Sequence, residues 1–207
     1  PDEFPWHSRL KAAHLEIRRE LRALREAGGF QHHEKVLTQK PGDWNVFYFY
    51  GAGARLHRNC DLCPKTAAIL DSILSEGSPG NAYFSALQPG ARIAPHYGPT
   101  NTRLRTHFGI EVPANCALEV NGEARTSKAG ECLVFDDSYY HSAWNRGGAT
   151  RVVLVFDFWH PELSKAEITG VAKYLSTSGS AKRIRKRALD RRAAILSSDW
   201  WKDPAPR

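Results

Sequence analysis

The chain has 207 residues, 42% of them apolar and 25% charged, with a formal net charge of +7. That is the composition of an ordinary globular protein, and the length suits one domain with a sizeable buried core. No apolar run approaches the roughly 20 residues of a membrane-spanning helix, no signal peptide is visible, and no nucleic-acid-binding motif accompanies the basic charge.

The first predicted element is one helix over residues 6–28, "WHSRLKAAHLEIRRELRALREAG". Leu10, Ala13, His14, Ile17, Leu21 and Leu24 recur at helical spacing, and Gly28–Gly29 ends it. A polar stretch with Pro41–Gly42 leads into "WNVFYFYG" (44–51), which is aromatic and extended. A short helix follows Pro64 near "KTAAILDSIL". Strand-like runs then succeed one another: 82–90, 104–112, 116–127, 131–137, 142–147 and 150–159. Asn121–Gly122 between alternating runs is a strong hairpin signal. "HPELSKAEITGVAKYL" (160–175) reads as a helix with Pro161 at its start. The chain closes on a basic stretch, "AKRIRKRALDRR" (181–192), read as a solvated helix face rather than a nucleic-acid-docking element. There is no internal repeat.

The fold expected is mainly β with flanking helices, built as a sandwich or barrel. Residues 1–175 form the domain and 176–207 a basic extension, helical in part. The chain starts at Pro1 and contains no Met, so it is read as a processed product whose leader or anchor is left open. Cys60 and Cys63 form a C-x-x-C that suits a disulfide, a redox pair or half of a zinc site. Cys116 and Cys132 sit in apolar strand surroundings and read as core. The cysteines fix no compartment, and a cytoplasmic one is favoured.

Chemistry concentrates between residues 85 and 151. His96 and His141 lie near strand ends beside polar residues, and separate strand ends converge at one mouth of a jelly roll. Mononuclear iron oxygenases commonly hold Fe(II) with two His and one carboxylate. Two residues after His96, where the carboxylate would stand, this chain has Gly98. In "NTRLRTHFG", Arg103, Arg105 and His107 alternate and so share one strand face. Two guanidiniums there suit carboxylate binding better than a hydrophobic core. Arg151 opens the most apolar strand and Ser85 sits in another, both placed to reach into the same barrel. Asp136 and Asp137 precede "SYYH" and suit orientation of a metal-bound water or ligand.

"PHYGPTNTRLRTHFGIEVP", "FDDSYYHSAWN" and "RVVLVFDFWHPEL", in that order, resemble the catalytic domain of the aspartyl/asparaginyl β-hydroxylase family. "GDWNVFYFYGAG" and "CPKTAAIL" add to the resemblance, which covers about residues 4–175. It implies a double-stranded β-helix (jelly-roll, cupin-like) fold and a reaction using Fe(II), 2-oxoglutarate and O2. The family also has Gly at the carboxylate position. By matching, His96 and His141 would hold the metal and Asp137 would lie beside the vacated place. Arg105 and His107 would meet the 1-carboxylate end of 2-oxoglutarate, Ser85 and Arg151 its 5-carboxylate, and Arg103 a carboxylate of the substrate.

There are departures from the family pattern. Gln39 and Lys35 stand where an animal member has an Arg and an Asp, and Val46 replaces a Gln. Cys60 matches the first Cys of that member's disulfide, Ala67 occupies the second position, and Cys63 is new. The expected activity is therefore hydroxylation at the β-carbon of an Asp- or Asn-like amino acid or peptide, a small substrate being preferred over an EGF-like domain. Nucleic acid is not an expected partner, and the oligomeric state is left open. Two alternatives remain. One is a 2-oxoglutarate-dependent halogenase exploiting the vacant ligand position. The other is a degenerate, non-catalytic interaction module.

Overall fold

A computed structural model describes residues 4–32, 37–75, 77–177 and 179. Lys35 and the basic stretch 181–192 lie outside the described residues, as does nearly all of the 176–207 extension. Two helices, α1 (His7–Ala12) and α2 (His14–Glu26), open the chain. Strands β1 (Gln31–His32), β2 (Trp44–Gly51) and β3 (Ala54–Arg55) follow, then helices α3 (His57–Cys60) and α4 (Pro64–Ile73). The remaining strands are β4 (Ala82–Leu87), β5 (Arg92–His96), β6 (Arg103–Glu111), β7 (Cys116–Val120), β8 (Glu123–Thr126), β9 (Cys132–Phe135), β10 (His141–Asn145) and β11 (Arg151–Trp159). Helix α5 (Lys165–Thr177) comes last.

All strand pairs described are antiparallel. The larger sheet runs β1-β2-β4-β11-β6-β9, with β3 beside β2, and the smaller runs β5-β10-β7-β8. Two apolar layers hold this arrangement. Val46, Tyr83, Leu87, Val153 and Val155 of the larger sheet meet Ile93, Leu118 and Ala143 of the smaller one between the sheets. On the outer face of the larger sheet, Phe84, Phe108, Ile110, Leu154 and Phe156 pack against Leu10, Ile17, Leu21 and Leu24 of the first two helices. Facing sheets with helices on one side make the double-stranded β-helix, as the sequence suggests.

Local chemistry explains the elements. β11 is rich in β-branched and aromatic residues and is buried along its whole length. The β7–β8 hairpin turns at Asn121 (φ 49°) and Gly122 (φ 82°), both in the left-handed region that this turn demands. α4 starts on Pro64, whose missing N–H is no loss at a helix start.

Three expectations need correction. The single helix over 6–28 is two, broken at Ala13, after which the His14 Nε2 lies 3.0 Å from the Ile110 carbonyl of β6. The last helix begins at Lys165 rather than at Pro161. A reciprocal cap sets that start: the Ser164 N–H donates to Glu167 Oε2 (2.8 Å), and the Glu167 N–H to Ser164 Oγ (3.3 Å). Finally, β5 is a strand that the alternation did not suggest.

The cysteines are all free and buried. Burial pushes the Cys60 thiol up to about 11 and the Cys63 thiol to about 12, so both are protonated core groups. Among the described residues, no helix is long and apolar enough to cross a membrane.

Candidate metal and anion site

Pairing of β5 with β10 sets His96 directly opposite His141, with ring centroids 4.2 Å apart. Each Nδ1 lies 2.8 Å from a backbone carbonyl two residues upstream, Ala94 for His96 and Tyr139 for His141. A carbonyl only accepts, so each Nδ1 carries the hydrogen. In the neutral ring Nε2 then presents its lone pair. Burial above all lowers the pKa of His141, which favours that neutral form. Pinning one ring nitrogen to leave the other as ligand is how proteins orient metal-binding histidines.

The missing carboxylate has a steric cause. A Cβ on Gly98 would lie 2.5 Å from Asp137 Cγ and 2.6 Å from its Oδ2. The Gly98 N–H also donates to the Asp137 carbonyl at 2.6 Å. No side chain fits at position 98, because the carboxylate of Asp137 fills that space. Asp137 is fully buried, and its Oδ1 has no hydrogen-bond partner among the described residues. Asp136, the other acid considered, instead accepts from the Ser138 N–H in the turn (2.8 Å). Among the described residues, no cluster of three or more His, Cys, Asp or Glu could hold a metal. The two imidazoles, with the Asp137 carboxylate filling the space at Gly98, are the groups here that could hold a metal.

Arg103, Arg105 and His107 do share the inner face of β6, as alternation requires. Opposite Arg105 on β11 stands Asp157, fully buried and not anticipated from the sequence. Arg105 donates from Nε to Asp157 Oδ1 (2.7 Å) and from Nη2 to Oδ2 (3.1 Å). Its Nη1 lies 3.0 Å from Asp137 Oδ2. Arg103 reaches Asp157 Oδ2 through Nη1 (3.4 Å) and Asp137 Oδ2 through Nη2 (3.3 Å). Two guanidiniums and two carboxylates therefore close a buried quartet. The pKa of Asp157 is lowered because these two arginines outweigh its burial.

Arg151 contrasts with the quartet. It is fully buried, and its Nη2 donates to Ser127 Oγ (3.1 Å) and lies 3.4 Å from His107 Nδ1. Its Nε and Nη1 are buried without a partner, and no ion pair to it is found among the described residues. Burial pushes its pKa down to about 10. Burial also holds His107 well below the ordinary imidazole range, aided by the neighbouring Arg151 charge, so this ring is neutral. Ser85 sits on the same inner face, opposite Val153 and so two positions from Arg151 in register, and its Oγ accepts from Trp44 Nε1 (2.9 Å). A buried cation without a counter-ion is costly. The surroundings of Arg151 are chemically those of an anion site.

Eight of the nine side chains singled out in the sequence thus lie on inner strand faces or beside the strand ends of one barrel, and the ninth, Asp136, turns to the Ser138 N–H. Asp157, Ser127 and Trp44 were not found that way. For Asp157 a signal existed: it is the one acid inside the otherwise apolar "VVLVFDFW", in phase with Arg151.

Fold and site together define a double-stranded β-helix protein with two facing histidines beside a cluster of buried arginines. Residues 11–161 match the family model described as aspartyl/asparaginyl beta-hydroxylase, and the chain belongs to that family. It is 42% identical over 139 residues to the aspartate beta-hydroxylase domain-containing protein 2 of Homo sapiens, covering 64% of this chain and 38% of that one. It is 37% identical over 141 residues to the aspartyl/asparaginyl beta-hydroxylase of Mus musculus, covering 66% and 19%. The chain thus spans two fifths or less of the length of these curated relatives. Among solved structures, a predicted oxalate decarboxylase of Thermotoga maritima aligns with a TM-score of 0.43 and 11% identity over 63% of this chain and 92% of that one.

Proposed function

We propose that the chain is an Fe(II)- and 2-oxoglutarate-dependent oxygenase that hydroxylates an Asp- or Asn-like amino acid or peptide at its β-carbon. The observation that carries this reading is Arg151. It is a buried cation with two unsatisfied donor atoms, in a barrel whose two neighbouring histidines present unprotonated Nε2 atoms.

His96 and His141 would hold the iron, and bound there with 2-oxoglutarate and O2 it supplies oxidising power for replacing a C–H by a C–OH bond, with succinate and CO2 as the other products. Arg151 and Ser85 anchor the 5-carboxylate end of the cosubstrate. Arg105 and neutral His107 receive its 1-carboxylate end, and Arg103 grips the carboxylate of the substrate. Asp137 stands beside the metal position and orients what binds there through Oδ1.

Charge balance supports an acidic substrate. Three buried or half-buried arginines face two buried carboxylates, leaving one positive charge in excess. A divalent metal and a dianionic cosubstrate leave that excess unchanged, so a substrate carboxylate would neutralise it. Val46, buried on the inner face of β2, presents no polar group where an animal member has a Gln, which favours a small substrate over a folded domain. The halogenase alternative has less support, because the space at Gly98 is filled by a carboxylate that would repel chloride. The interaction-module alternative does not account for an unpaired buried cation.

The test is an anaerobic titration of the metal-free protein with Fe(II), then 2-oxoglutarate, following the visible charge-transfer band of the chelate. A saturable band that disappears in His96→Ala and in His141→Ala is expected. A folded protein that gives no band would remove the oxygenase reading.

A further inference from the structure

We propose that Asp157 is the positioning residue of the Arg105 site: it fixes the guanidinium so that only the end bearing Nη1, which meets the single-oxygen contact of Asp137, is left to turn to a ligand carboxylate. This role rests on the oxygenase reading, since it concerns the 1-carboxylate end of 2-oxoglutarate.

The two carboxylates of the quartet are not equivalent. Asp157 takes the Nε–Nη2 edge of Arg105 through both oxygens (2.7 and 3.1 Å). It also accepts from the Asn81 backbone N–H (2.9 Å) and lies 3.4 Å from Arg103. Asp137 uses one oxygen at 3.0 and 3.3 Å and leaves the other without a partner. Asp157 thus engages both of its oxygens, whereas Asp137 engages only one among the described residues. A guanidinium gripped along one edge has its orientation set, because the fork is planar and rigid. The end bearing Nη1 is what remains, and it faces Asp137 beside the two histidines. The chain makes room for this grip at Gly80, where a Cβ would fall 2.2 Å from Asp157 Oδ2 and 2.4 Å from Arg103 Nη1.

Positioning and mere charge neutralisation predict opposite signs. Removing a negative charge beside two guanidiniums strengthens anion binding on electrostatic grounds alone. Losing the fixed orientation weakens it. The experiment is calorimetric titration of 2-oxoglutarate into the Mn(II)-loaded full chain, with Asp157→Asn compared against the unsubstituted protein. The expected result is roughly 10–100-fold weaker 2-oxoglutarate binding, the scale of hydrogen bonds to a charged group, while Mn(II) affinity is retained. Tighter or unchanged binding in Asp157→Asn would overturn the positioning role and leave the oxygenase reading standing. Absence of 2-oxoglutarate binding in the unsubstituted protein would overturn both. If Asp157→Asn does not fold, the unsubstituted protein still decides the matter by NMR. The Arg105 Nε–H resonance, identified by its loss in Arg105→Lys, should exchange slowly with solvent; rapid exchange would overturn the proposal.

Discussion

The barrel contains two arginine sites that solve the same electrostatic problem in opposite ways. Around Arg103 and Arg105, two carboxylates come from within the chain and the charges cancel. Around Arg151 the described residues supply only a serine hydroxyl and a neutral imidazole. A buried pair that is complete stabilises the fold, or costs it little. A buried cation left incomplete costs stability and is retained where a ligand completes it. The difference separates arginines whose charge is balanced on folding, with one guanidinium end left to meet a ligand, from an arginine whose charge only a ligand can balance.

The comparison breaks most sharply under paired substitutions. Arg105→Met leaves two buried carboxylates short of a partner and should destabilise the protein by about 3–5 kcal/mol, read from thermal or urea unfolding. Arg151→Met should do the opposite to stability, leaving the melting temperature unchanged or raised, because it removes an unpaired buried charge. Its cost should fall on binding, with 2-oxoglutarate affinity lower by roughly 100-fold on the scale of a truncated buried charge pair. If both substitutions destabilise equally, the distinction between the sites is wrong.

A smaller effect belongs to Asp137. Asp137→Ala should weaken iron binding by about 10–100-fold, the usual cost of losing a group that orients metal ligands, measured by competition with a chelator. Gly98→Asp alone should also weaken it, since its Cβ would meet Asp137 at 2.5 Å. Gly98→Asp combined with Asp137→Gly should recover part of the loss. Equal iron affinity in Gly98→Asp and the unsubstituted chain would show that the space is not contested.

The smallest effect is on pH. Both His107 and His141 have folded-state pKa values below the ordinary one, so the unfolded state binds more protons at mildly acid pH. Stability of the metal-free chain is therefore constant above about pH 6.5 and falls as pH drops from there toward the lowered values. The quartet acts in a lower window. Asp157 is also lowered, so its contribution is present above about pH 3.9 and is lost below it. His107→Gln should flatten the upper fall and leave the lower one. If His107→Gln flattened both falls alike, the two sites that the structure separates would merge into one.

β11 shows how far the sequence could be read. Its alternation is visible in "RVVLVFDFW" and predicts two faces. In the fold, Leu154 and Phe156 pack toward the helices, while Arg151, Val153, Val155 and Asp157 look inward. Likewise "RLRTHF" announces that Arg103, Arg105 and His107 share one face. Turn chemistry at Asn121–Gly122 was equally legible, because only certain residues tolerate that backbone. The break at Ala13 was less so, since helical periodicity continues across it. The start of α5 was misjudged because Pro161 suits a helix start, yet the Ser164–Glu167 pair downstream satisfies more backbone donors.

The sequence by itself determined the class of fold, the residue types of the site and which of them share a strand face, because those follow from local periodicity and from a family resemblance carried by contiguous motifs. Tertiary structure alone decided the partnerships. It set His96 against His141, put the Asp137 carboxylate in the place of a side chain at Gly98, gave Arg105 to Asp157 and left Arg151 with no carboxylate among the described residues. These depend on strand register between segments as far as 52 residues apart. Register is fixed by burial of whole apolar faces, which no local pattern records.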